Sequence, residues 1–336
     1  MSIQFLDCTL RDGAHVNSGN FGKSHISNVI RGLSEASVDI VEIGFLRMVN
    51  YSPDVTSFPY IEDAYGMLMD MPKCQSEYAL MARADEYDVR RLSECNGKIR
   101  LIRIAFYYDF LEGAIAFARE VKARGYSFTF NLINTPGCTQ QELEKVVGCA
   151  NELNPYALMI VDTYGVLYPE GLEAITKVYG SKLNPSIRLG LHVHENLSSA
   201  FSLVQWFIKN MIGQRDVIVD GSLMGIGRAP GNLCTELISN YLNERYGKNI
   251  GLAKILQLIE EDIAPIKKKY KWGYSPEYFL SAKYKVHRSY AEYLSEANYK
   301  LERIDQILKR IDSAHASKFY KSYLEELIKK LTASDN

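Results

Sequence analysis

The chain has 336 residues, 47% hydrophobic and 24% charged, enough to bury a large core as one big α/β domain or as a domain with an appendage. Its formal net charge of -1 argues against nucleic acid or an anionic membrane as the main partner, since both call for a basic surface. Cys8, Cys74, Cys95, Cys138, Cys149 and Cys234 are scattered without a Cys-x-x-Cys pair, and there is neither a basic-then-apolar leader nor an apolar window of about 18 residues, so a cytoplasmic protein with reduced thiols is expected.

In chain order, Ile3-Gln-Phe-Leu-Asp-Cys-Thr9 reads as a strand and residues 10–15, Leu-Arg-Asp-Gly-Ala-His, as a polar loop. A helix is expected from Ser24 to Ser34, because Ile26, Val29, Ile30 and Leu33 recur on one stripe. Further short strands are expected at 38–45, 77–82, 99–106, 128–133, 157–162, 187–194 and 216–220, with helical stretches between them. With the first, that makes eight. Thr139-Gln-Gln-Glu142 is a capping box ahead of an apolar-periodic run, and Pro169 stands at the first turn of another helix. Eight alternating strand-helix units over about 240 residues fit a (β/α)8 TIM barrel better than an open doubly wound sheet, whose Gly-rich first turn is missing here. Beyond about residue 255 the strands stop. Leu301, Ile304, Ile307, Leu308 and Ile311, then Tyr320, Tyr323, Leu324, Leu327 and Leu331, follow helical spacing. The expected organisation is therefore an α/β barrel over 1–255 with a C-terminal helical extension over 256–336. The lysines at 267–269 read as a solvated helix face.

Side chains two apart on a strand point the same way, so His192 and His194 in Leu-His-Val-His face one point. Alone, the pair is read equally as metal ligands or as one packed and one exposed histidine. In a barrel the residues that do chemistry gather at the C-terminal ends of the strands, which brings Arg11, Asp12 and His15 after the first strand to the mouth that holds the two histidines. One carboxylate and two imidazoles make a three-ligand site with positions open for water and substrate. A capping carboxylate at Asp12 and a surface histidine at His15 are the plain alternatives.

These residues resemble a family. Asp7-Cys-Thr-Leu-Arg-Asp-Gly13 is similar to the Asp-x-Thr-Leu-Arg-Asp-Gly opening of the DRE-TIM metallolyases, which include hydroxymethylglutaryl-CoA lyase, isopropylmalate and homocitrate synthases, and 4-hydroxy-2-oxovalerate aldolase. Val41-Glu-Ile-Gly-Phe45 resembles the family's second strand, Leu191-His-Val-His-Glu-Asn-Leu197 its His-x-His strand, and Gly225-Ile-Gly-Arg-Ala-Pro-Gly-Asn232 its eighth-strand turn. His15, and His-Glu-Asn-Leu-Ser at 194–198, point to the 4-hydroxy-2-oxoacid aldolase branch. Trp272-Gly-Tyr274 resembles the segment that supplies that branch's catalytic tyrosine. Glu195 stands where the branch has a third histidine, Asp162-Thr-Tyr-Gly165 replaces its Asp-Ser-x-Gly, and the acyl-CoA lyase's cysteine loop has no counterpart around Ser222 or Arg228.

The resemblance implies Asp12, His192 and His194 as ligands of a divalent metal, Mn²⁺ or Mg²⁺, with two nitrogen donors favouring Mn²⁺. Asn232 and Glu42 are expected behind them, Glu42 orienting a ligand or Arg11. A 4-hydroxy-2-oxoacid would be cleaved to pyruvate and an aldehyde, with Arg11 stabilising the enolate, His15 taking the hydroxyl proton and Tyr274 sharing the relay. The rival readings are a Claisen-type enzyme condensing an acyl-CoA with a 2-oxoacid, a non-haem iron oxygenase built on the same triad, and a barrel that binds without catalysis. A homo-oligomer or an aldehyde dehydrogenase partner is the expected association, alongside the small-molecule 2-oxoacid.

Overall fold

In a strand, side chains alternate between two faces, so a closed sheet sends every second residue inward. The computed structural model, which describes residues 1–69, 71 and 75–334, shows that closure; Cys74 lies outside the described residues. The strands are β1 (Ile3–Asp7), β2 (Ile40–Leu46), β3 (Glu77–Arg83), β4 (Leu101–Phe106), β5 (Ser127–Leu132), β6 (Ala157–Asp162), β7 (Arg188–Val193) and β8 (Val217–Gly221). Each pairs in parallel with its neighbours in sequence, and β1 closes the ring against both β2 and β8. The (β/α)8 TIM barrel read from the strand spacing is the observed fold.

Inward residues form two layers. Leu6, Ile40, Ala79, Leu101, Ala157, Met159 and Ile218 make an apolar floor. One step further along the strands the same alternation delivers Glu42, Arg103, Asp220 and His192, all buried. The outward faces pack under the helices. In α1 (Lys23–Glu35) the stripe of Ile26, Val29, Ile30 and Leu33 is fully buried, each side chain contributing about 1.5–3 kcal/mol of apolar burial. The capping box at Thr139 is present: its hydroxyl accepts from the Glu142 amide, and Glu142 Oε2 accepts from the Thr139 amide at 2.7 Å.

Three local departures from the expected elements stand out. Residues 10–15 are not a loop. They lie in two single-turn helices, Thr9–Asp12 and Ala14–Asn17, nucleated by the Cys8 carbonyl accepting from Arg11 and Asp12 amides at 3.1 and 2.8 Å. The connection from β3 to β4 has a single 3-10 turn, Val89–Arg91, in place of a full helix. An additional two-residue strand, Ser57–Phe58, pairs with the end of β2, where Gly44 (φ +151°) bulges; a Cβ there would overlap the Thr56 carbonyl.

After α1's partner helix Leu252–Leu258, whose Leu258 seats on Gly32 of α1, the barrel's apolar cluster runs on to Trp272. The tail helices Pro276–Lys283, Ser289–Glu296, Leu301–Leu308 and Lys321–Ser334 then build a separate cluster around Leu280, Tyr290, Leu294, Ile304, Ile307 and Leu324. They attach at the C-terminal rim of the barrel. Asn196 Nδ2 donates to the Tyr278 carbonyl at 3.1 Å, the Tyr164 hydroxyl to the Ser317 carbonyl, and the Trp272 indole to the Met224 carbonyl at 2.9 Å. Lys267, Lys268 and Lys269 are exposed. Among the described residues no helix is long and apolar enough to cross a membrane.

Candidate metal centre and active site

The site begins at the ends of β1 and β7. The first helical turn after β1 points Arg11 and Asp12 into the barrel mouth, both nearly fully buried. His192 ends the inward face of β7 and His194 follows two residues later. Each imidazole is oriented through Nδ1: His192 against Asp220 Oδ2 at 3.0 Å, His194 against the Asp162 carbonyl at 2.9 Å. That tethering leaves both Nε2 atoms for a third party. His194 Nε2 lies 3.8 Å from Asp12 Oδ2, and one ligand atom from each of Asp12, His192 and His194 falls within 4.8 Å of the others.

The donors fit a divalent cation. His194 Nε2 is buried without a hydrogen-bond partner, as is Asn232 Oδ1, and a buried polar atom left unsatisfied costs about 1–3 kcal/mol. Asn232 Nδ2 and the Arg228 amide both donate to Asp12 Oδ2, at 2.8 and 3.1 Å, which fixes the carboxylate's position. Burial pushes the Asp12 carboxyl up, but Arg11, His194 and His15 together outweigh it and hold it well below the usual carboxylate range. His192 is held below the ordinary histidine value by burial, which Asp220 only partly offsets. An anionic oxygen and a neutral imidazole are the forms a cation needs.

Behind the ligands runs an ion-pair chain that sequence reasoning missed in part. Arg11 Nε donates to Glu42 Oε2 at 2.8 Å and its Nη1 to Asp12; Arg103 Nη1 reaches the same Glu42 oxygen at 2.8 Å and its Nη2 reaches Asp220. Breaking such a buried pair from one side costs about 3–5 kcal/mol, because the remaining charge has no water to turn to. Glu42 does contact Arg11, as expected. The clue to Arg103 was an arginine inside the apolar run Leu-Ile-Arg-Ile-Ala-Phe, and the clue to Asp220 was its place at the end of β8, facing the way Ile218 faces.

A cavity of about 210 Å³ opens over these groups, lined by Arg11, Asp12, His15, His192 and His194. His15 packs edge-on against Phe45 with ring centroids 5.6 Å apart and stays exposed to the cavity. Tyr274 is elsewhere. The Trp272 indole is anchored inward, Gly273 takes φ +118°, and the chain then turns Tyr274 out to 56% exposure in a surface groove with Tyr270 and Glu277. The tyrosine that does line the cavity is Tyr107, just beyond β4, with the Arg83 guanidinium 5.1 Å from its ring centroid.

The family model described as HMGL-like matches residues 2–261. The chain belongs to the HMGL-like family. That agrees with the metallolyase resemblance of its four motifs. A 4-hydroxy-2-oxovalerate aldolase of Bacillus cereus is 24% identical over 273 residues, covering 79% of this chain and 76% of that protein. Among solved structures, the N-terminal domain of a candidate aldolase from Bacteroides vulgatus superposes with a TM-score of 0.76 at 22% identity, covering 90% of this chain and 99% of that one. The carboxyl transferase domain of Rhizobium etli pyruvate carboxylase, solved with pyruvate, gives 0.70 at 13% identity over 99% of this chain and 61% of that one, so the likeness of fold runs through the tail helices too.

Within this HMGL-like barrel the remaining cavity wall is more basic than the motifs suggested. Arg47, one residue past β2, Arg83 at the end of β3 and Arg228 in the turn after β8 all line it, with Glu86. Arg228 falls inside the Gly-Ile-Gly-Arg-Ala-Pro-Gly-Asn motif, whose glycines explain how it gets there. A Cβ at Gly227 would overlap Asp12 Oδ2 and Asn232 Nδ2, so only glycine lets the turn pass this close to the ligands.

Proposed function

We propose that the protein is a divalent-metal-dependent aldolase that cleaves a 4-hydroxy-2-oxoacid to pyruvate and an aldehyde. The observation that carries the reading is one cavity in which Asp12, His192 and His194 present ligand atoms within 4.8 Å of one another beside Arg11 and His15. The likeness to 4-hydroxy-2-oxovalerate aldolases over most of the chain supports it.

A cation held by Asp12, His192 and His194, Mn²⁺ on the strength of two imidazole donors, would act as a Lewis acid toward the substrate's 2-oxo group. The protein's own groups do the rest. Arg11 is kept charged, since Glu42 and Asp12 more than offset the lowering effect of its burial. Its Nε and Nη1 are taken by those carboxylates, leaving Nη2 without a hydrogen-bond partner among the described residues and open to the oxygen on which negative charge develops. His15 accepts the proton of the 4-hydroxyl while the C3–C4 bond breaks and its electron pair passes to C3 as the enolate. Protonation at C3 then yields pyruvate, and Tyr107, which lines the cavity, is the proton donor assigned to it.

The test is pyruvate release from a panel of 4-hydroxy-2-oxoacids by protein stripped with chelator and reloaded with Mn²⁺ or Mg²⁺. Cleavage is expected only after reloading. Metal-independent cleavage, or thiol release from acetyl-CoA without any pyruvate formed from the panel, would remove the aldolase reading.

A further inference from the structure

The wall of the cavity carries more positive charge than one 2-oxoacid carboxylate can answer. Four guanidinium groups line it, those of Arg11, Arg47, Arg83 and Arg228, against the carboxylates of Asp12 and Glu86. Arg11 is spoken for by Asp12 and Glu42. Arg83 forks onto Asp85, its Nε 2.8 Å from Oδ1, and meets Glu86 at 3.4 Å. Arg47 and Arg228 are left with no ion-pair partner among the described residues. Arg47 sits over the Phe45 ring, its Cζ 3.8 Å from the ring centroid, and Arg228 Nε is buried with no hydrogen-bond partner among the described residues. Burial lowers the Arg47 pKa, Glu86 only partly restores it, and the fields of Arg11, Arg83 and Arg228 lower it further, so these cations share one electrostatic neighbourhood.

Placing cations side by side without anions is unfavourable unless a ligand brings the missing charge. A planar guanidinium with free donors matches the paired oxygens of a carboxylate or phosphate. The strand ends place these arginines across the mouth: Arg47 follows β2, Arg83 ends β3, and Arg228 is in the turn after β8.

The geometry points to a subsite for a second acidic group on the substrate, with Arg47 and Arg228 as its specificity-determining residues. Resting on the aldolase reading, the substrate class becomes a 4-hydroxy-2-oxoacid whose leaving aldehyde carries a carboxylate or a phosphate. The reaction balances as before: the C3–C4 bond breaks, the hydroxyl proton leaves for His15, and the acidic tail departs unchanged on the aldehyde.

Binding tests this apart from turnover. Calorimetry on Mn²⁺-loaded protein would compare 2-oxovalerate, 2-oxoglutarate and 2-oxo-4-phosphonobutyrate, equal in reach and differing in the tail. The acidic tails are expected to bind on the order of tenfold more tightly or better, and the tighter of the two identifies carboxylate or phosphate. In Arg47→Gln and Arg228→Gln the ratio of acidic to neutral affinity should fall toward one, while Arg47→Lys keeps part of it. Equal affinities in the unaltered protein, or a preference that survives both glutamine substitutions, would overturn the subsite. Pyruvate release from the matching 4-hydroxy compounds separates the two claims. An acidic-tail preference with no pyruvate from any of them leaves the subsite standing and sinks the aldolase; pyruvate formation with no preference does the reverse.

Discussion

At the scale of single residues the decisive group is His15, because it is the one cavity imidazole outside the ligand cluster. Although one side of its ring opens to the cavity, the barrel-mouth atoms crowded around it exclude most water and the resulting desolvation holds its pKa well below 6.5. Asp12 pulls the other way, and Arg228, Arg47 and Arg11 add to the lowering. A base works in its neutral form, so a lowered pKa extends activity toward acid: the acid limb of kcat/KM for pyruvate release should lie below the ordinary histidine value of about 6.5. His15→Ala should reduce kcat by roughly 10²–10⁴-fold, abolish that limb, and leave bound metal unchanged by elemental analysis. A limb at or above neutrality would contradict the assignment, and parallel loss of metal and activity would make His15 a ligand instead. The same scale shows what chain reading reached and what it did not. Asp12, His192 and His194 announce themselves through strand alternation and the ends-of-strands rule. Tyr274 was misplaced because a Trp-Gly-Tyr match says nothing about which side of the turn faces the barrel, and that is decided by one indole bonded to the Met224 carbonyl and one left-handed glycine.

At the scale of elements, the turn after β8 governs how closely two ligand-bearing segments approach. Gly227 passes directly against the Asp12 carboxylate and the Asn232 amide that holds it. Gly227→Ala should therefore displace both groups and weaken Mn²⁺ binding by about 10–100-fold, the usual effect of disturbing the groups that orient a ligand. The measurement is a Mn²⁺ titration followed by the signal of free ion, with far-ultraviolet dichroism to show an intact barrel. Undiminished affinity would mean that the close approach does not position Asp12. Regular elements of this kind were legible because they repeat: period two in the strands, a stripe in α1, and the cap at Thr139. The single turns at 9–12 and 14–17 were not, since four residues are too few for any period and their formation depends on the Cys8 carbonyl receiving two amides. Arg47, Arg83 and Arg228 were invisible as a group for a different reason: they belong to three connections far apart in sequence, and only barrel closure brings them to one wall.

At the scale of the whole molecule, the barrel and the tail helices hold separate apolar cores joined at the rim by hydrogen bonds and an aromatic contact. Trp272 is the last residue of the barrel's cluster, and Leu280 begins the other. Between them the connections include hydrogen bonds such as Asn196 to Tyr278 and Tyr164 to Ser317, each contributing about 0.5–1.5 kcal/mol, and the edge-on packing of Tyr164 against His287, together far less than a continuous apolar interface. Two cores coupled this weakly should open independently. Ile307, fully buried at the centre of the tail cluster, offers a local lever. Ile307→Ala removes three methyl or methylene groups and leaves a cavity, a loss of about 2–5 kcal/mol. Followed by hydrogen exchange with mass spectrometry, the substitution should speed exchange across the helices from Pro276 to Leu308 and leave the strands β1–β8 protected as before. If the strand amides accelerate equally, the chain opens as one cooperative unit and the tail is part of the barrel's folding core. If they do not, the tail can loosen at the rim, beside Tyr164 and Asn196, while the ligand residues in the turn after β1 and at the end of β7 keep their positions.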